Sequence, residues 1–128
     1  MTIYGIGTDI VEVSRVTGIH ARHGARFAKH VLSAAEMPEY AAAPFPERFL
    51  AKRFAAKEAF AKAIGTGLRG NVALTNIRIT HDALGKPGLD FEPKLRSLVN
   101  ACGITHCHLS ISDEKELVAA FVVLEQGA

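Results

Sequence analysis

The longest regular pattern in the chain runs from Phe49 to Gly67. Phe49, Ala56, Phe60 and Ile64 recur at helical spacing, and Phe54, Glu58 and Lys62 follow at intervals of four on roughly the opposite side. Alanines and Leu50 fill the flanks. No Pro or Gly interrupts the run before Gly65, and Gly65 or Gly67 can take the positive φ that ends a helix. The pattern predicts one helix, starting near Glu47, that is apolar around most of its girth and therefore covered on more than one side. Glu58 and Lys62 then lie in a crevice or an interface. In open water the same pair would be an i,i+4 ion pair contributing about 0.2–0.5 kcal/mol.

The rest of the chain is organised around that helix. Ile3 to Val13 reads as a strand, with Ile3, Tyr4, Ile6, Ile10 and Val11 as β-favouring side chains. Gly5 and Gly7 leave one face of it bare, so another backbone must approach closely, and an alanine-rich helix meets that need. Asp9 follows in an apolar setting. Ser14 is a candidate cap for a helix from Arg15, a continuous helix there being doubtful because of Gly18 and Gly24. Ser33 to Glu36 forms a capping box for a short helix over 34–42, which Pro44 and Pro46 break. Ile77 to Thr80 alternates as a strand, 82–88 turns, and Leu89 to Phe91 returns. Pro93 opens a helix with Leu95, Leu98, Val99 and Cys102 inward, and Gly103 stops it. Thr105 to Ser112 places His106, His108, Ser110 and Ser112 on one face and Cys107, Leu109 and Ile111 on the other. Leu117 to Leu124 is apolar enough for a central strand pairing back as a hairpin. The order predicts an α+β fold, a mainly antiparallel sheet packed against a long central helix, in a single domain over 1–128.

Charge changes this picture in one place. The net charge of the 128 residues is only +2, so no general polyanion binding follows from the total. Ser14 to Leu32, however, holds Arg15, Arg22, Arg26 and Lys29, three histidines and no acid. The remainder therefore carries two more acids than bases, and the positive field is local. It predicts a contact surface for an acidic partner. Nucleic acid is disfavoured, since Phe27 is the only aromatic there to stack on a base. Met1 to Gly5 lacks a signal-peptide pattern, and no run approaches the roughly 20 apolar residues of a membrane span. The expectation is a cytoplasmic protein whose Cys102 and Cys107 are reduced core fillers; paired zinc-ligand motifs are absent.

Asp9, Glu58 and His108 are candidates for one site. Two carboxylates brought together from distant sequence are costly unless a cation neutralises them. One or two carboxylates with phosphate oxygens and water is how Mg²⁺ is usually held. Lys62, one turn beyond Glu58, then faces a phosphate as a point charge, and Arg53, Lys57 and Lys86 are further candidate cations. Neither a Walker A sequence nor G-x-G-x-x-G occurs.

Gly5-Ile-Gly-Thr-Asp9, Arg53-Phe-Ala-Ala-Lys-Glu58-Ala-Phe-Ala-Lys62-Ala-Ile-Gly-Thr-Gly67, Gly85-Lys-Pro87 and His108-Leu-Ser-Ile-Ser112 together resemble the holo-[acyl-carrier-protein] synthase family, the short bacterial 4′-phosphopantetheinyl transferases. The resemblance runs from Ile3 to Glu125 with all motifs in order. It implies transfer of the phosphopantetheine arm of coenzyme A to a serine of acyl carrier protein, with release of adenosine 3′,5′-bisphosphate, in support of fatty acid biosynthesis. It implies Asp9 and Glu58 as Mg²⁺ ligands, Lys62 at the diphosphate and His108 in the coenzyme A site. Arg53, Gly65, Gly67, Lys86 and Pro87 fall around the adenosine end, and the segment from Arg15 to Lys29 on the carrier-docking helix, where the spacing differs from the family's. It also implies a homotrimer with active sites between subunits. Asp113 stands where many members carry His and others Asp. The nucleophile then belongs to the carrier, and Glu58, water on the metal and His108 are alternative bases for its proton. The competing readings are a non-catalytic module that binds an acidic protein, and a transferase acting on a peptidyl carrier.

Overall fold

The structure, a computed structural model, describes residues 1–127. Five strands and five α-helices follow one another as β1 (Thr2–Glu12), α1 (Val13–His23), α2 (Ala25–Val31), α3 (Met37–Ala42), α4 (Pro46–Ile64), β2 (Ile77–His81), β3 (Pro87–Phe91), α5 (Pro93–Ala101), β4 (Ile104–Asp113) and β5 (Leu117–Gln126). β1, β5 and β4 form an antiparallel sheet in that order, so Leu117–Gln126 is its central strand. β2 and β3 form a separate antiparallel hairpin.

α4 lies across the inner face of the sheet. Gly5 and Gly7 permit this: a Cβ on Gly5 would stand 1.9 Å from the Ala63 carbonyl oxygen, and one on Gly7 2.0 Å from that of Ala59. Both obstacles are backbone, so a side chain at either position must push the helix away. Pro46 sits at the start of α4, where its missing N–H costs nothing, and Gly65 closes the helix at φ 94°. Leu50, Ala55, Ala56, Ala59, Phe60 and Ala61 are fully buried along it. Burial of Phe60 or Leu50 contributes about 1.5–3 kcal/mol each. Phe54 and Glu58 remain half-buried and Lys62 exposed, so the stripe expected from the four-residue spacing is the accessible edge of a covered helix.

Two sequence expectations are revised. The first helix begins at Val13 without a side-chain cap, so Ser14 lies inside it. It also continues through Gly18; only Gly24, at φ 55°, breaks it. Gly18 costs roughly 1 kcal/mol of propensity but keeps helical geometry, whereas Gly24 supplies the turn into α2.

Apolar surface is left uncovered on one face of the sheet. α4 is satisfied within the chain, and the uncovered face is the outer side of the sheet. There Ile6 pairs with Val123, and Ile10 with Ala119. Ile6 and Ile10 are 59% and 66% exposed, beside the exposed Phe121 and Leu117.

Candidate active site

Residues alternate across β1, and Asp9 shares the inward face with Gly5, Gly7 and Val11. It pairs with the buried Ala120 and so points toward α4. Glu58 and Asp9 line one cleft of about 270 Å³, together with Arg15, Val16, Ile19, Phe27 and Phe54. The carboxylates thus stand at the end of an apolar groove roofed by α1 and α2. Lys62 turns to β1 rather than to Glu58: its ammonium donates to the Thr8 carbonyl at 3.0 Å and to Asp9 Oδ1 at 3.2 Å. Partial burial, then the neighbouring charge of Asp9, push the Glu58 carboxyl above the usual range, and Lys62 opposes them only in part.

A pair of like charges in a partly dry cleft calls for a cation beyond Lys62. No group of three or more His, Cys, Asp or Glu side chains converges among the described residues. Any ion held here therefore takes most of its ligands from water or substrate. That donor set, two hard oxygens with the rest supplied from outside, fits Mg²⁺ rather than zinc.

His108 is not part of this cleft in one chain. It pairs with Val123, which pairs with Ile6, and that row lies on the outer face of the sheet, opposite to Asp9. There its Nε2 lies 2.6 Å from Glu125 Oε1, and its ring stacks on His106. Gly65 and Gly67 end α4, the Gly67 N–H bonding to the Ala61 carbonyl at 3.1 Å. Lys86 closes the exposed turn before β3, where Asp82 accepts its backbone N–H at 2.9 Å, and Pro87 opens that strand.

Lys57 corrects an expectation. It is fully buried and cannot meet a substrate phosphate. Its ammonium donates to the carbonyls of Val31 (2.7 Å) and Leu74 (3.0 Å) and to Glu36 Oε1 (2.6 Å). Arg53, also buried, gives its guanidinium to Glu36 at 2.8 Å and Glu39 at 2.8 Å and stacks over Phe49. Arg53 does line a second cleft, of about 300 Å³, with Phe45, Arg48, Phe49, Lys52, His81 and Ile111. Arg48 and Lys52 escaped the sequence reading, although their spacing of four on α4 puts two cations on one helix face.

Arg15, Arg22, Arg26 and Lys29 are all exposed, Arg15 beside the carboxylate cleft. None forms an ion pair among the described residues. No helix among those residues is long and apolar enough to cross a membrane.

The comparisons recover this fold, an antiparallel sheet crossed by a long helix. The model of the 4′-phosphopantetheinyl transferase superfamily matches residues 5–122, and the chain belongs to that superfamily of enzymes. Within it, the chain is 58% identical over 124 residues to the holo-[acyl-carrier-protein] synthase of Nitrosospira multiformis, covering 97% of this chain and 99% of that protein. The crystal structure of the Neisseria meningitidis holo-[acyl-carrier-protein] synthase superposes with a TM-score of 0.95 at 50% identity, covering 98% of this chain and 100% of that one. The Bacillus anthracis enzyme in complex with CoA (3′,5′-ADP) superposes with a TM-score of 0.83 at 34% identity, covering 99% and 100%.

Proposed function

We propose that the chain, as a single domain over 1–128, transfers the 4′-phosphopantetheine group of coenzyme A to a serine of apo-acyl carrier protein and releases adenosine 3′,5′-bisphosphate. The observation that carries this reading is that Asp9 and Glu58 line one cleft, with Lys62 bonded to Asp9 beside it, in a chain that matches the synthases over nearly its whole length. The setting is the cytoplasm and the purpose the supply of holo-carrier to fatty acid biosynthesis. Mass spectrometry of an apo-carrier incubated with coenzyme A and Mg²⁺ tests it: a phosphopantetheine gain on the carrier is expected, and an unmodified carrier rejects the reading.

The carrier serine Oγ attacks the β-phosphorus of coenzyme A, a new P–O bond forms, and the bond to the bridging oxygen breaks, leaving adenosine 3′,5′-bisphosphate. Asp9 and Glu58 would hold Mg²⁺, which when bound neutralises charge building on the diphosphate oxygens. Lys62 is half-exposed and lightly tethered, so its ammonium can turn from Asp9 to the diphosphate. Glu58, in the same cleft, takes the serine proton. Arg53, Gly65, Gly67, Lys86 and Pro87 frame the adenosine end.

The chain assembles as a homotrimer through the outer face of the sheet, where Ile6, Ile10 and Phe121 are exposed together. That face also carries His108, which in the assembly enters the coenzyme site of a neighbouring subunit. Ile10→Asp should convert the trimer to monomers in sedimentation velocity and lower activity with it. A fully active wild-type monomer removes the inter-subunit site from the account.

The acidic carrier docks on Arg15, Arg22, Arg26 and Lys29. Neutralising Arg22 and Arg26 together should raise KM for the carrier several-fold through the association rate and leave KM for coenzyme A nearly unchanged. Salt should mimic the change, because exposed charges are screened beyond about 8–10 Å at moderate ionic strength. Steady-state kinetics against both substrates at two salt concentrations decides; an unchanged carrier KM with no salt effect rejects the docking surface.

A further inference from the structure

We propose that Asp113 is a built-in competitor for the anionic end of the donor. Its carboxylate occupies Arg48 and Lys52 in the second cleft until a phosphate monoester displaces it. The inference rests on the reading of coenzyme A as donor and adds a residue that tunes how tightly this chain holds it.

The second cleft lies at the start of α4, with Phe45 and Phe49 on one side and His81 and Ile111 on the other. Of the cations on this part of α4, Arg53 is matched by two carboxylates, Glu36 and Glu39. Arg48 and Lys52 have only one between them. Arg48 Nη1 stands 3.3 Å from Asp113 Oδ2, and Lys52 Nζ stands 3.6 Å from the same oxygen. Charge-assisted bonds of this kind are ordinarily about 2.7–2.9 Å, so both contacts are loose. The side chains of Arg48, Lys52 and Asp113 are 28%, 39% and 34% exposed, and exposed pairs of this sort exchange readily. One carboxylate also leaves one positive charge over.

A phosphate monoester brings close to two negative charges and three acceptor oxygens, and meets both cations better than the single shared oxygen does. Arg48 is prepared for the exchange. Its guanidinium donates from Nη1 to the Glu114 carbonyl and from Nη2 to the Lys115 carbonyl, each at 2.7 Å. Those bonds hold the arginine in place, and the turn between β4 and β5 with it, when the Asp113 carboxylate leaves. The largely exposed Phe45 and the half-buried Phe49 offer apolar surface beside the cations for a planar base. A nucleoside bearing a phosphate monoester fits that combination, and the 3′-phosphoadenosine end of coenzyme A is such a group.

The test measures binding without turnover. Wild type, Asp113→Asn and Lys52→Gln are titrated calorimetrically, without carrier, with coenzyme A and with dephospho-coenzyme A, which lacks the 3′-phosphate monoester. Asp113→Asn should tighten coenzyme A by about fivefold, the factor that about 1 kcal/mol represents, and leave dephospho-coenzyme A unchanged. Lys52→Gln should narrow the preference for coenzyme A. If Asp113→Asn alters both ligands together, Asp113 only supports the β4–β5 turn and the inference falls. It falls equally if neither ligand responds, or if Lys52→Gln leaves the preference intact. A protein that shows the expected preferences yet transfers nothing to a carrier would overturn the proposed function alone; one that transfers normally without them would overturn this inference alone.

Discussion

Asp9→Asn and Glu58→Gln should each lower transfer by on the order of 100-fold or more, the loss expected for a metal ligand when even its supporting neighbours are worth 10–100-fold. Neither change should loosen the fold, and Glu58→Gln should tighten it. Partial burial and the nearby Asp9 charge raise the Glu58 pKa in the folded chain. Between the ordinary carboxylate range and that raised value, the folded protein keeps a proton that the unfolded chain has released. Stability contributed by this group therefore falls as pH rises through that window, and at neutral pH the ionised Glu58 is a full liability. An amide there removes the like charge, so Tm at neutral pH should rise while activity disappears. The two readouts together separate a functional carboxylate from a structural one. A Glu58→Gln variant with wild-type turnover would mean that the cleft is not the reactive centre.

Glu36→Gln is expected to have the largest effect on stability, about 3–5 kcal/mol, the cost of leaving a buried charge without its partner. A domain with a total stability of about 5–15 kcal/mol would be left marginal. The two oxygens of Glu36 accept four bonds, from the Ser33 and Ile79 N–H groups, Lys57 and Arg53, and so tie α4 to the capping segment and to β2. Burial alone would raise the Glu36 pKa, but the Lys57 charge and the hydrogen bonds outweigh it and hold the carboxyl below the usual range. The sign follows: the stabilisation is complete above the ordinary carboxylate range and is lost as pH falls through the lowered folded value. Burial pushes Lys57 down to about 8 even with Glu36 attached, so Glu36→Gln leaves a lysine that has lost its main reason to stay charged. Urea denaturation at neutral and acid pH checks both points: the variant should have a much lower midpoint, and a shallower acid dependence than wild type. Equal midpoints would show that the network is dispensable.

Much of this arrangement was legible in the residues. The alternate glycines of β1 demanded a close backbone neighbour, and α4 is that neighbour: the Ala59 and Ala63 carbonyls lie where a Cβ on either glycine would stand. The even alternation from Thr105 to Ser112 gave the faces of β4, since strand period admits one solution once Leu109 is inside. The fate of Lys57 was not legible. It stands one residue before Glu58, and only the rotation of α4 against Glu36 and the Val31 and Leu74 carbonyls decides that one is buried and the other faces a cleft. His108 was assigned the correct strand face, but local pattern does not say that Asp9 occupies the other side of the same sheet. The Asp113 contacts depend on a hairpin turn meeting α4 from 61 residues away or more, which no periodicity records.

The central claim is that the Asp9, Glu58 and Lys62 cleft carries phosphopantetheine from coenzyme A to a carrier serine. Its most direct test is the intact mass of apo-acyl carrier protein after one series of reactions: wild-type chain, Glu58→Gln chain, and wild-type chain with a carrier whose acceptor serine is alanine. The account predicts a phosphopantetheine adduct in the first reaction and none in the others on the same timescale. An adduct formed at the wild-type rate by Glu58→Gln, or on the serine-free carrier, would contradict it.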